Sequence, residues 1–321
     1  MKSVTLLFIS ILSGATLFAQ EIKKLDYCNC IDVITQTTPI LNGEFERKCN
    51  GKVIEKGSFV NGKKDREWVS YNKKGKLIAK INYENGLLSG KVELFYSNNK
   101  PKLVAEFNKG TKIGNWQYFT KDGKVFVEGN YEYGKPIDIW TIKDKNGKNP
   151  VVQYNFSTNS YLINKPYSFY KDGEIIQNDN TEEWYILKYP QRTETNKTAP
   201  LGGFHFASDL FVNLMEVPID YWDTFGQYEF EVDYWVNDNN ITEFTLKQID
   251  NLRLENNLLL PFLIITNPKE KIKDIQHSEL SKELLVFKIN EVLNFMPPFI
   301  YKDLNSFKVY IPYVINKIEY R

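Results

Sequence analysis

The sequence predicts a mainly β chain: an elongated stack of 24-residue β-hairpin repeats followed by a small α+β domain. Three observations carry that expectation. Glycines and aromatic residues recur at a fixed spacing of 24 residues. Between them, apolar and polar residues alternate with the period of a strand. Beyond residue 200 the repeat stops, and one segment adopts the apolar spacing of a helix.

The first element is a leader. Lys2, the apolar run Val4 to Phe18 and the small Ala19 follow the plan of a secretory signal peptide, with cleavage expected after Ala19. The run is shorter than the ~20 residues that span a bilayer, and no later segment is apolar enough to do so. Residues 1–19 are therefore read as the leader of an exported chain, with no integral membrane segment after processing.

Residues 20–40 form a cysteine-containing segment. Cys28 and Cys30, with Cys49 just beyond, suit one disulfide in an oxidising compartment. A bridge between residues two apart would be strained, so Cys49 with Cys28 or Cys30 is expected. Zinc would need a fourth ligand, and His205 and His277 lie far along the chain, so no metal is expected.

The repeats occupy residues 41–175. Gly62, Gly86, Gly110 and Gly134 fall in one column of the 24-residue frame, and Gly51, Gly75, Asn99, Gly123 and Gly147 in another. Phe59, Tyr83, Phe107 and Tyr131 share a third column; Trp68, Val92, Trp116 and Trp140 a fourth; Tyr71, Phe95 and Phe119 a fifth. Asp172-Gly173 marks a decayed sixth copy. Within one unit, Trp116 and Tyr118 alternate with polar residues before Asp122-Gly123, and Val125, Val127, Gly129 and Tyr131 alternate after it. Such runs bounded by Asn-Gly or Asp-Gly are hairpins, and the glycines stand where a turn needs positive φ. A lone hairpin cannot bury its face, so neighbours must stack, with the aromatic columns as their core. Core packing is preferred over an exposed aromatic face for glycan or peptide.

The segment Gly114-Asn-Trp-Gln-Tyr-Phe119, with Asp122-Gly123-Lys124 and Tyr133-Gly134, resembles the MORN-type repeat in its bacterial variant. That resemblance implies a scaffold or binding surface.

Residues 176–199, with Asn178-Asp179-Asn180, Pro190 and the polar run from Thr193, read as a linker. In the domain 200–321, Leu210 to Leu214 suits a short helix before Pro218. Tyr228, Phe230, Val232 and Tyr234 alternate, turn at Asn237 to Asn240, and resume as a hairpin. Leu280 to Phe295 has amphipathic helical spacing stopped by Pro297-Pro298, and Phe307, Val309 and Ile311 form a last strand.

This order resembles the C-terminal domain of TonB. The residues that carry the likeness are Gly202-Gly203, Gly226, Val236 to Ile241, Met296-Pro297, and Val309, Ile311 and Pro312. Val217-Pro218 stands where the family has Tyr-Pro, and residues 250–279 are longer than the usual connection. The resemblance implies an envelope partner, such as an outer-membrane receptor or peptide segment, paired along an edge strand containing Phe307, Val309 and Ile311. The Pro-rich spacer and retained anchor that energy transduction needs are missing from this reading.

Composition narrows the function further. Forty-one Lys and Arg against 40 Asp and Glu leave no field to attract nucleic acid. Twenty Tyr, 21 Phe and six Trp favour sheets. No nucleophile–base constellation stands out, Asp122 and Glu128 read as turn and solvent-face residues, and no cofactor is expected. The expectation is a non-enzymatic, exported, periplasmic or envelope-associated binding scaffold, with the repeats as arm and the TonB-like domain as contact module. Two rivals remain: an energy-transducing partner of outer-membrane transport, and an envelope glycan-active enzyme.

Overall fold

The computed structural model describes residues 19–25, 30–36, 40–72, 74–165, 175–177, 184–188, 199–201, 214, 226–237, 240–249, 258–259, 262–266, 291–300 and 306–316. Leader residues 1–18, Cys28, His205, His277 and the sixth repeat turn at Asp172-Gly173 lie outside the described residues. The chain divides into two units, residues 1–125 with 131–133 and residues 126–130 with 134–321.

Thirteen strands make one sheet whose spatial order is sequence order. They are β1 (Ala19–Leu25), β2 (Cys30–Gln36), β3 (Gly43–Cys49), β4 (Lys52–Val60), β5 (Lys63–Tyr71), β6 (Leu77–Glu84), β7 (Leu87–Phe95), β8 (Pro101–Asn108), β9 (Thr111–Phe119), β10 (Val125–Glu132), β11 (Lys135–Lys143), β12 (Pro150–Asn155) and β13 (Ser160–Asn164). In β1–β2–β3, Asp32 faces Arg47 across the ladder, and the guanidinium grips the carboxylate with both Nε–Oδ1 at 2.7 Å and Nη2–Oδ2 at 3.0 Å. Cys49 is disulfide-bonded, and its backbone partner across the ladder is Cys30.

Two kinds of turn alternate along the repeats. The first has two residues, both left-handed: Asn61-Gly62 (φ 51° and 77°), Asn85-Gly86 (52° and 84°), Lys109-Gly110 (49° and 84°) and Tyr133-Gly134 (48° and 78°). That conformation matches the twist of the flanking strands and excludes most side chains at the second position. The second kind is longer and opens with a tight bond from Gly75 N to Asn72 O, Asn99 N to Tyr96 O, Gly123 N to Thr120 O and Gly147 N to Asp144 O. Asn50-Gly51 shares a sequence column with the long turns but folds as a two-residue turn, with φ 50° and 77°.

A further column was not read from the sequence. Arg66, Gly90, Gly114 and Asp138 have φ of 61°, 94°, 65° and 54°, and the ladder slips opposite the first three of them. The first three of these strands therefore carry a bulge near their start, which sharpens the local twist.

The second sheet is mixed. Its path is β14 (Ile175–Gln177), β15 (Trp184–Lys188), β20 (Phe262–Thr266), β22 (Ser306–Asn316), β17 (Gly226–Asn237) and β18 (Asn240–Ile249), with β19 (Leu258–Leu259) also on β22. The hairpin β17–β18 turns after Asn237, where the alternation placed it. β15 lies within the segment read as a linker, and β20 within the long connection 250–279. A small pair joins β16 (Ala199–Pro200) to β21 (Phe299–Ile300). Helical residues are few among those described: Leu214 and residues 291–295, the latter ending before Pro297 and burying Val292, Leu293 and Phe295.

Phe307, Val309 and Ile311 lie on β22, which pairs antiparallel with β17 and parallel with β19 and β20. Val309 has a ladder partner on each side, whereas among the described residues Phe307 and Ile311 pair on the β17 side only; the ends of the sheet path are β18 and β14.

Candidate functional site

The aromatic columns form clusters on one face of the repeat sheet, because alternate residues of a strand share a face. In the first unit, Trp68 is 5.2 Å from Phe45, 5.0 Å from Phe59 and 6.4 Å from Tyr83, ring centre to ring centre. Trp116 stands 5.2 Å from Phe107 and 5.0 Å from Tyr131, both edge-to-face. In the second unit, Trp140 neighbours Phe156 at 6.5 Å, and Tyr154 lies 4.9 Å from both Phe156 and Tyr161. Trp68, Trp116 and Trp140 are buried, and each indole donates to a backbone carbonyl: Ser58 O, Ile113 O and Asn130 O.

Room for the indoles comes from the facing strand. A Cβ at Gly57 would strike the Trp68 ring, and one at Gly129 the Trp140 ring. The same 24-residue column reads Gly57, Ile81, Ala105 and Gly129 against Trp68, Val92, Trp116 and Trp140. Where the large residue becomes Val92, its ladder partner becomes Ile81. This matching of small against large was legible in the repeat frame but was not read.

Two lysines cover the rings. Lys64 Nζ is 3.8 Å from the Trp68 ring centre and 5.4 Å from that of Tyr83, and it pairs with Glu55 at 3.0 Å. Lys112 Nζ, two repeats on, is 5.0 Å from Trp116 and 5.2 Å from Tyr131. The position of Glu55 carries buried Leu103 in that unit. Burial lowers the Lys112 amine to about 7, and burial raises the phenols of Tyr118 and Tyr131, the former also through Tyr131.

The rings are thus committed to packing and present no stacking platform there. Glu128 pairs with Lys143 at 2.6 Å, and Asp122 is an exposed turn residue whose carbonyl accepts from Lys100 Nζ. Among the described residues no three acidic, histidine or cysteine groups converge as a metal site, and no helix is long and apolar enough to cross a membrane. The most exposed large apolar groups among the described residues include Tyr133 at a turn, 82% exposed, Leu87 beside one, 51%, and Leu162 on the terminal strand β13, 54%; Ile139 is exposed within β11. No family model and no curated protein sequence matches the chain.

Proposed function

We propose that the chain is an exported, non-enzymatic binding scaffold of the cell envelope, in which the repeat sheet is an arm and the mixed sheet the contact module. The observation that carries this reading is the edge strand β18, ten residues long and paired, among the described residues, on its β17 side only. An unpaired strand of that length supplies a row of backbone donors and acceptors to an extended peptide. The aromatic rings support the arm role, since their burial leaves them to hold neighbouring hairpins together. The TonB-like reading of residues 200–321 rests on the β17–β18 hairpin, the helical residues 291–295 and β22 in the expected order.

The test is a photo-crosslinking residue at Thr245, in the middle of β18, and a second at Leu162 on the terminal strand of the repeat sheet. The full-length protein is irradiated in envelope extracts and the adducts are mapped. Adducts formed through position 245 with an extended segment of one envelope protein are expected. Adducts from position 162 alone would assign binding to the repeats and leave the mixed sheet as their cap.

A further inference from the structure

Five Asn-Gly pairs occur among the described residues: Asn42-Gly43, Asn50-Gly51, Asn61-Gly62, Asn85-Gly86 and Asn146-Gly147. This dipeptide is chemically labile, because glycine has no side chain to hinder its own amide nitrogen from reaching the preceding carboxamide. The repeat architecture treats the five pairs differently. Gly62 N donates to Leu41 O at 2.8 Å, Gly86 N to Lys64 O at 2.7 Å, and Gly147 N to Asp144 O at 2.8 Å. The Asn42 carboxamide is held at both ends, accepting from Asn61 N at 2.8 Å and donating to Ile40 O at 3.3 Å.

Asn50-Gly51 has neither protection among the described residues. Both residues are exposed, and a Cβ placed on Gly51 would meet nothing within 4 Å. Its backbone matches that of Asn61-Gly62, with φ of 50° and 77° against 51° and 77°. The difference is therefore the hydrogen bond and not the turn. Asn61-Gly62 and Asn85-Gly86 meet a carbonyl of the preceding hairpin, whereas Asn50-Gly51 turns at the opposite ends of the strands.

We propose that Asn50-Gly51 is a self-modification site at which the folded protein deamidates. The Gly51 amide nitrogen, deprotonated by base, attacks Cγ of Asn50. The new N–Cγ bond closes a succinimide as the Cγ–Nδ2 bond breaks, and ammonia leaves with a proton from solvent. Water then adds to one of the two imide carbonyls and opens the ring to aspartate or isoaspartate. Either product adds one negative charge. Isoaspartate also lengthens the main chain by a methylene, directly beside the disulfide-bonded Cys49.

The experiment incubates the full-length protein, folded or denatured, at mildly alkaline pH and body temperature, and follows each Asn-Gly peptide by mass spectrometry. In the folded protein, conversion at position 50 should exceed that at 61, 85 and 146 by about tenfold, the upper end of what one hydrogen bond supplies. In the denatured chain all five should convert at similar rates. Asn50→Gln should abolish the folded-state signal without changing circular dichroism. Comparable conversion at another pair in the folded protein, or none at position 50 where the denatured chain converts, would overturn the assignment.

Discussion

The two large sheets solve the problem of strand pairing in opposite ways. In the repeat sheet every strand pairs with its neighbours in sequence, and the described junctions are short turns. In the mixed sheet β22 pairs with β17 and with β19 and β20, which come from two stretches of chain far from it in sequence. The first arrangement closes short loops at small entropic cost, while the second must close long ones before any contact offsets them. Damage to one repeat should therefore stay local, whereas damage to the centre of the mixed sheet should affect the whole of it.

The largest effect is expected at the centre of the mixed sheet. Val232 on β17 faces Leu246 on one side and Val309 on the other, so its N–H lies in a ladder whichever way it points. Val232→Pro should cost about 3 kcal/mol or more and abolish cooperative unfolding of that sheet in urea. Little change would mean that β17 is not interior.

Next is the Trp140 pocket. Gly129→Ala forces a methyl against a buried indole and should destabilise by about 2–3 kcal/mol. Combined with Trp140→Val, the side chain of the Val92 unit, the two losses should add to less than their sum in a double-mutant cycle. Strict additivity would deny the packing of Gly129 against Trp140.

How much of this was legible follows from the same contrast. Gly86 and Gly110 stood out because a two-residue turn is a local event, and the aromatic columns because each ring packs on the next hairpin. The β17–β18 hairpin was legible for the same reason. The parallel pairing of β22 with Leu258–Leu259 and Phe262–Thr266 was not, since it leaves no short-range pattern. β15 was hidden in a segment whose Asn and Pro residues resemble a linker. Lys64 and Lys112 stand 48 residues apart in the repeat frame, but that spacing alone does not show an ammonium group over the rings.

A smaller effect is expected at the turns. Gly110→Val places a β-branched residue at φ 84° and should cost about 1–2 kcal/mol, read as a lower urea midpoint at unchanged slope. An unchanged midpoint would remove the left-handed turn from the account.

The smallest is a pH dependence. The folded chain holds the Lys112 amine at about 7, below its ordinary value of 10.5, so above pH 7 the unfolded chain binds the extra proton and stability rises with pH. Tyr118 and Tyr131 are raised in the fold, so they reverse the trend once phenols ionise in the unfolded chain, near pH 10. The carboxylates of Glu106 and Glu132 flank this region in sequence and are unchanged by the substitution. Lys112→Met should therefore flatten the rise in melting temperature between pH 7 and 10 and raise the melting temperature at neutral pH. A wild-type rise that persists in the variant would assign it elsewhere.

The central claim is that the repeat sheet is held by contacts between adjacent 24-residue units. Native-state hydrogen exchange on Gly129→Ala tests it most directly, because each backbone amide reports the opening of its own segment. The account predicts protection lost in β10 and β11, with the amides of β4 to β6 keeping their wild-type protection. A uniform loss from β3 to β12 would contradict it.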